Sequence, residues 1–290
     1  MEKRWKIQAE RTVRLKEFLT KDMGLSRHQI SQAKFREKGI CVNGRSERVS
    51  CMLKAGDEVE VLLEEGGTVS KLLPLEITPK ILFEDEDLLI VDKPSGMVSH
   101  PAHGHYRDTA ANMAAAYLNG KGEGGPIRLA GRLDRETSGI LVFAKNQVAA
   151  SRLAGQREKG TFRKVYLALA SGRMESSGGI IRMPIRKAPG QLMKMETCET
   201  DGMNAVTRFR LLRQEKDYSV LALQIETGRT HQIRVHLAWA GHPLLGDRLY
   251  GCGDDRIGRA ALHAWKLYFC HPFTGEKIQL EAEVPADMIF

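Results

Sequence analysis

Asp134 stands in the stretch GRLDRETSGILVFAK, residues 131–145, between Arg132 and Arg135 and ahead of four consecutive apolar residues, Ile140 to Phe143. The stretch reads as a turn bounded by Gly131 and Gly139 that runs into a strand buried on both faces. A turn of this kind projects a carboxylate from a loop held by rigid scaffold, where it can attack a carbon or take a proton. An aspartate in a turn is more often a turn-former, so the chemical reading depends on partners.

Two other stretches offer them. In TFRKVYLALASG, residues 161–172, alternation sets Lys164, Tyr166 and Ala168 on one face and Val165, Leu167 and Leu169 on the other. A phenol beside an ammonium suits stacking on a nucleobase and holding a phosphate, although a half-buried tyrosine with its hydroxyl in water is the plainer reading. In LQIETGRTHQIRVHLAWAGH, residues 223–242, Thr227-Gly228 breaks a strand, and a helix carrying Ile233, Leu237 and Ala240 follows. Arg229 then falls at or just before a helix N-terminus, an end that disfavours a cation by a few tenths to about 1 kcal/mol. An anion facing it, either a carboxylate such as Asp134 or an RNA phosphate, would make sense of the placement. A solvated arginine would also tolerate it.

Histidines invite a metal reading that the spacing does not support. His100, His103 and His105 cluster, and His231 and His236 share a helix, but five residues apart their side chains diverge. The chain has neither HExxH nor the HxE…PCxxC pattern of zinc deaminases, and no GxxxxGK[ST]. No metal and no cofactor is expected.

The composition, 42% hydrophobic and 28% charged, is that of an ordinary soluble protein. No apolar run approaches the roughly 18–20 residues of a membrane span, and the first residues lack the apolar core of a secretory signal. Five cysteines without a CxxC pair read as reduced thiols. A cytoplasmic monomer is expected. The net charge of +8 is concentrated at one end: residues 1–50 hold 13 Lys+Arg against 6 Asp+Glu. That imbalance points to a polyanion, with nucleic acid the first candidate and a merely solvated basic face the alternative.

The same end has its own element pattern. Val13, Leu15, Phe18 and Leu19 fit one helical face; Ser26 caps a second helix that Gly39 should end; Asn43-Gly44 reads as a hairpin turn; and Val59, Val61 and Leu63 alternate as a strand. The stretches RLKEFL, LSRHQI, GICVNGR and KAGDEVEV resemble the S-four-like RNA-binding domain over residues 12–63, with Lys16 where that family usually has an aspartate. The resemblance implies a two-helix face that docks on structured RNA, and Arg14, Arg27, Lys34 and Arg45 are expected to contact it. Residues 64–77 read as a linker. In residues 78–290, strands mix with an Ala-rich helix capped by Asp108 and stopped by Gly120, and with a second helix from Asn146 to Gly160. The mixture, without strict βαβ alternation, favours an α+β fold.

Residues 78–290 resemble the RluA-type pseudouridine synthases through DKPSGMVSHP, GRLDRETSGILVFAK, KVYLALASG, GGIIRMPI, TGRTHQIRVHLAWAGHPLLGDRLYG and LHAWKLYFCHP, in family order. Met203 departs from a usual lysine in DGMNAVT. The resemblance implies a mixed, mainly antiparallel catalytic domain that isomerises uridine in RNA without a cofactor. It further implies that Asp134 is the catalytic aspartate, that Tyr166 lies against the target base and that Arg229 pairs with Asp134; Arg132 and Lys164 are expected to contact the RNA. The appended module narrows the likeness to the RluC and RluD type, so ribosomal RNA is the expected partner ahead of transfer RNA.

Overall fold

In the computed structural model the described residues are 2–64, 72–73, 75–102 and 104–290. The N-terminal module comprises β1 (Glu2–Gln8), β2 (Val13–Arg14), α1 (Leu15–Lys21), α2 (Arg27–Lys34), β3 (Ile40–Val42), β4 (Arg45–Ser46), β5 (Met52–Leu53) and β6 (Glu58–Glu64). Four strands form one antiparallel sheet in the order β1-β6-β3-β4, and β2 pairs with β5. Leu15, Phe18 and Leu19 on α1 and Ile30 and Ala33 on α2 are buried against Val59, Val61 and Leu63 of β6. Ser26 caps α2 in a capping box with Gln29. Asn43 (φ 48°) and Gly44 (φ 77°) make the β3–β4 turn, both left-handed as a tight hairpin requires. The module extends further back than residue 12, because β1 pairs along the whole of β6. Helix α2 stops at Lys34, five residues before Gly39.

The larger part contains β7 (Lys80–Glu84), β8 (Leu88–Lys93), α3 (Ala110–Gly120), β9 (Arg128–Leu129), β10 (Ser138–Ala144), α4 (Gln147–Glu158), β11 (Arg163–Ser171), β12 (Gly178–Arg182), β13 (Ile185–Lys187), β14 (Met195–Thr197), β15 (Val206–Gln214), β16 (Tyr218–Ile225), α5 (Gln232–Trp239), β17 (Leu262–Cys270) and β18 (Lys277–Glu281). Its main sheet runs β12-β15-β16-β11-β17-β10-β8-β7, with β18 on β17 and β9 on β10. Every pairing is antiparallel except β10 with β17, so the sheet is mixed and mainly antiparallel, as the α+β reading expected. Period-two alternation divides β8 and β10 between two cores. Leu89, Val91, Leu141 and Phe143 pack with α3 and with Ile233 and Leu237 of α5; Leu88, Ile90, Ile140 and Val142 pack on the face that Ala149 and Leu153 of α4 cover. Both faces of β10 are therefore buried, which is why its sequence is an unbroken apolar run.

Two caps bear on the expectations. Asn146 caps α4 by accepting from the Ala149 amide at 2.8 Å. For α3 the cap is Thr109, in a box with Asn112, and not Asp108, whose carboxylate meets His105 Nδ1 instead. Of the expected linker, residues 65–71 and 74 lie outside the described residues. Leu72 and Leu75 pack on the main core, and Asn112 Nδ2 donates to the Leu73 carbonyl at 2.8 Å.

Candidate active site

The Asp134 loop is short, and a neighbouring loop 40 residues earlier in the chain holds it. Ser99 Oγ donates to the Leu133 carbonyl at 2.7 Å and accepts from its amide at 3.0 Å. The Gly96 amide donates to the Arg135 carbonyl, Arg135 Nε returns a bond to the Gly96 carbonyl, and Ser95 Oγ donates to the Glu136 carbonyl. Beneath them lies Lys93, fully buried, its ammonium solvated by the carbonyls of Pro94 (2.7 Å), Met97 (2.8 Å) and Arg135 (3.3 Å). Burial pushes this amine down to about 7, with the Arg259 charge adding to the effect and Asp134 opposing it. On the far side of the loop Glu136 Oε2 accepts from the Ala260 amide at 3.0 Å. Gly139 then turns the chain into the sheet at φ 104°; a β-carbon there would stand 2.3 Å from the Ala264 carbonyl oxygen, so only glycine lets β10 meet β17.

The carboxylate of Asp134 itself is half-buried and makes no hydrogen bond or ion pair among the described residues. The flanking arginines do not clamp it: Arg135 is engaged by Gly96, and Arg132 is exposed. Its charge is nevertheless felt around it. Burial first, and Asp134 second, push the phenol of the buried Tyr166 upward, so Tyr166 is a neutral hydrogen-bonding group near neutral pH.

Arg229 lies three residues ahead of α5. The turn that carries it is ordered by Gln232, whose Oε1 accepts from the Arg229 amide at 3.0 Å and from Thr227 Oγ1 at 2.8 Å, while Nε2 donates to the Val206 carbonyl and Thr207. Arg229 Nε donates to the Asn204 carbonyl at 3.0 Å, and no ion pair joins it to Asp134 among the described residues.

Lys164 is a correction to the sequence reading. Its ammonium points inward and donates to the Ile140 carbonyl at 2.8 Å, and burial pushes it down to about 7. An amine so placed satisfies a carbonyl within β10 and is not offered to a phosphate. Arg14, Arg27, Lys34 and Arg45 are all exposed on the N-terminal module.

The structure also brings to the site residues that spacing did not single out. His231 caps α5 in the left-handed conformation (φ 55°, ψ 21°), an uncommon state for a non-glycine residue, and its Nδ1 lies 2.9 Å from Tyr250 Oη. The Met195 amide donates to the same phenol oxygen at 2.9 Å. Burial lowers the His231 pKa, and Asp134 is the charge that most opposes this. Behind His231, Arg234 and the fully buried Asp247 form a two-point ion pair with both distances at 2.7 Å. Asp247 Oδ1 also accepts the amides of Leu249 and Tyr250, so one carboxylate fixes both α5 and the Tyr250 turn.

Histidines at the site serve these contacts separately. His236 is shared between Thr207 and the Met183 carbonyl, and His103 lies outside the described residues. Asp85, Asp87 and His271 do bring ligand atoms within 4.8 Å of one another. Their atoms are already engaged: Asp85 accepts two amides and faces His271 Nε2 at 2.8 Å, His271 Nδ1 accepts two more, and Asp87 meets Asn146. This trio closes the β7–β8 turn.

The family model for RNA pseudouridylate synthase covers residues 87–239. An uncharacterized RNA pseudouridine synthase of Bacillus subtilis, YjbO, is 37% identical over 92% of this chain and 94% of its own. The ribosomal large subunit pseudouridine synthase D of Nitrosomonas europaea is 37% identical over 86% and 75%. Among solved structures, human RNA Pseudouridylate Synthase Domain Containing 1 is 26% identical with a TM-score of 0.58, over 75% of this chain and 85% of that one. The chain belongs to the RNA pseudouridine synthases, isomerases that convert uridine in RNA to pseudouridine. Within them it is of the RluA type.

Proposed function

We propose that this enzyme modifies uridine in ribosomal RNA, without metal or organic cofactor, and that Asp134 is its catalytic residue. The observation that carries the assignment is the Asp134 carboxylate: unpaired among the described residues, half-buried, and presented by a loop whose backbone is tied to residues 93–99. The reaction breaks the bond from ribose C1′ to N1 of uracil, turns the base and joins C1′ to C5. The C5 proton is lost and N1 gains one, so the composition of the nucleotide is unchanged. A positioned carboxylate serves either of the steps this needs, attack on carbon or removal of the C5 proton. The uridine must leave its stack first, and Tyr166 offers the flat apolar face that receives it. Arg229, with its terminal nitrogens unpartnered among the described residues, supplies a positive charge to balance the negative charge of the reacting site once RNA excludes water.

Ribosomal RNA is favoured over transfer RNA by two supports. One relative is named for the large ribosomal subunit, and the N-terminal module carries an S-four-like pattern with an excess of basic residues. Purified full-length chain, incubated separately with ribosomal and transfer RNA from cells lacking the gene, should make pseudouridine in the ribosomal fraction only. A zinc- and iron-selective chelator, with magnesium kept for RNA folding, should leave the rate unchanged. Product confined to transfer RNA, or activity restored only by added zinc, would overturn the respective part of the reading.

The module is expected to dock through Arg27 and Lys34, exposed on α2. Replacing both by alanine should weaken RNA binding and make its dependence on log salt shallower by about two units, because two fewer phosphates release their counterions. An unchanged slope would remove α2 from the RNA interface.

A further inference from the structure

Helix α4 is fixed at its middle and delivers a charge at its end. Arg152 donates from Nε to the Met23 carbonyl (2.9 Å), from Nη2 to that of Asp22 (3.2 Å) and from Nη1 to that of Pro272 (2.7 Å). Ser151 Oγ bonds the Gly24 carbonyl at 3.0 Å, and Val148 is buried in the core of the N-terminal module. The helix is thus held between the module and the hairpin that follows β17, with little freedom to slide.

Its last turn carries Arg157. A β-carbon at Gly131 would stand 3.6 Å from Arg157 Nη1, and one at Gly228 would stand 3.3 Å from Nη2. Gly131 opens the Asp134 loop and Gly228 immediately precedes Arg229. The guanidinium therefore spans the two loops that bear the candidate catalytic residues, lying against glycine on each side. Its charge reaches inward as well, since it opposes the upward shift of Tyr166. Yet Arg157 is exposed, and its guanidinium has no hydrogen bond or ion pair among the described residues. A helix C-terminus is a favourable place for a cation, but that gain is a few tenths of a kcal/mol and would be met by any rotamer in solvent. It does not explain a guanidinium laid across this gap.

We propose that Arg157 binds a backbone phosphate of the RNA beside the target uridine and holds it while the base is turned into the site. The chemistry of the position selects a phosphate. The planar fork offers two parallel donors to two phosphate oxygens. The group sits at the rim of the site, whereas the base must reach its floor at Tyr166. A second exposed arginine, Arg132, follows Gly131 on the same rim. The proposal takes from the preceding reading that Asp134 and Arg229 frame the reacting nucleotide.

The test uses full-length Arg157→Ala and Arg157→Lys with ribosomal RNA from cells lacking the gene, measuring binding against salt and steady-state rates. Arg157→Ala should raise KM about tenfold, with the loss in KM rather than in kcat, and make the salt slope shallower by about one unit. Arg157→Lys should restore the slope but only part of the affinity, because it keeps the charge and loses the fork. Unchanged affinity and slope would overturn the proposal. A fall in kcat at an unchanged slope would do the same, since it would show that Arg157 acts on Tyr166 and not on RNA. Should wild-type chain bind this RNA with the steeper slope yet make no pseudouridine in it, the phosphate contact would stand and the ribosomal assignment would fall.

Discussion

Asp134→Asn is expected to lower the rate of pseudouridine formation by at least about 10²–10⁴-fold while RNA affinity and thermal stability stay close to wild type. The amide keeps the shape of the side chain but is neither a nucleophile nor a base. Stability should survive because the carboxylate makes no hydrogen bond or ion pair among the described residues, and the loop is held by its backbone through Ser95, Gly96 and Ser99. Turnover within a few-fold of wild type would remove Asp134 from the chemistry. The companion variant Arg229→Ala, assayed at saturating RNA, should lose kcat with its binding-salt slope intact if the arginine serves Asp134. A slope shallower by about one unit would make it a phosphate ligand instead.

The second large effect is on folding. Asp247→Ala leaves Arg234 buried, with Glu136 as its nearest acid at 4.0 Å, and also strips acceptors from the amides of Leu249 and Tyr250. Removing one partner of a buried ion pair costs about 3–5 kcal/mol, which for a chain of this size lowers Tm by on the order of 10 °C. The double variant Asp247→Leu with Arg234→Met should recover a good part of that loss, because no unpaired charge remains. Thermal unfolding of the three proteins decides it. A single variant as stable as wild type would mean that the pair contributes nothing and that α5 is held by its apolar face alone.

Local patterns carried much of this molecule. The Ser26 and Asn146 caps, the Asn43-Gly44 turn and the double-faced burial of β10 all follow from spacing over a few residues, and the structure has each of them. What spacing missed is long-range. β1 is charged between Trp5 and Ile7 and reads as a solvated end until β6 is placed beside it. Alternation put Lys164 on the face of Tyr166 but could not say that the Ile140 carbonyl lay within reach of its ammonium. At α3 two adjacent polar residues competed for one cap, and Thr109 won while His105 took up Asp108. At the candidate site, the glycine-bounded turn that carries Asp134 was legible. The residues that hold the site were not: Lys93 acts across 42 positions, Tyr250 meets His231 across 19, and Arg157 lies between loops from two distant blocks. The left-handed His231 gave no signal either, since nothing in THQ marks a residue for positive φ.

The central claim, that this chain makes pseudouridine in ribosomal RNA through Asp134, is tested most directly in cells. Pseudouridines are mapped across total RNA from three strains: one with the wild-type gene, one with Asp134→Asn at the same locus, and one without the gene. At least one ribosomal position should carry the modification in the first strain and plain uridine in both others. A map in which the Asp134→Asn strain matches wild type, or in which the only positions lost lie outside ribosomal RNA, would contradict the claim.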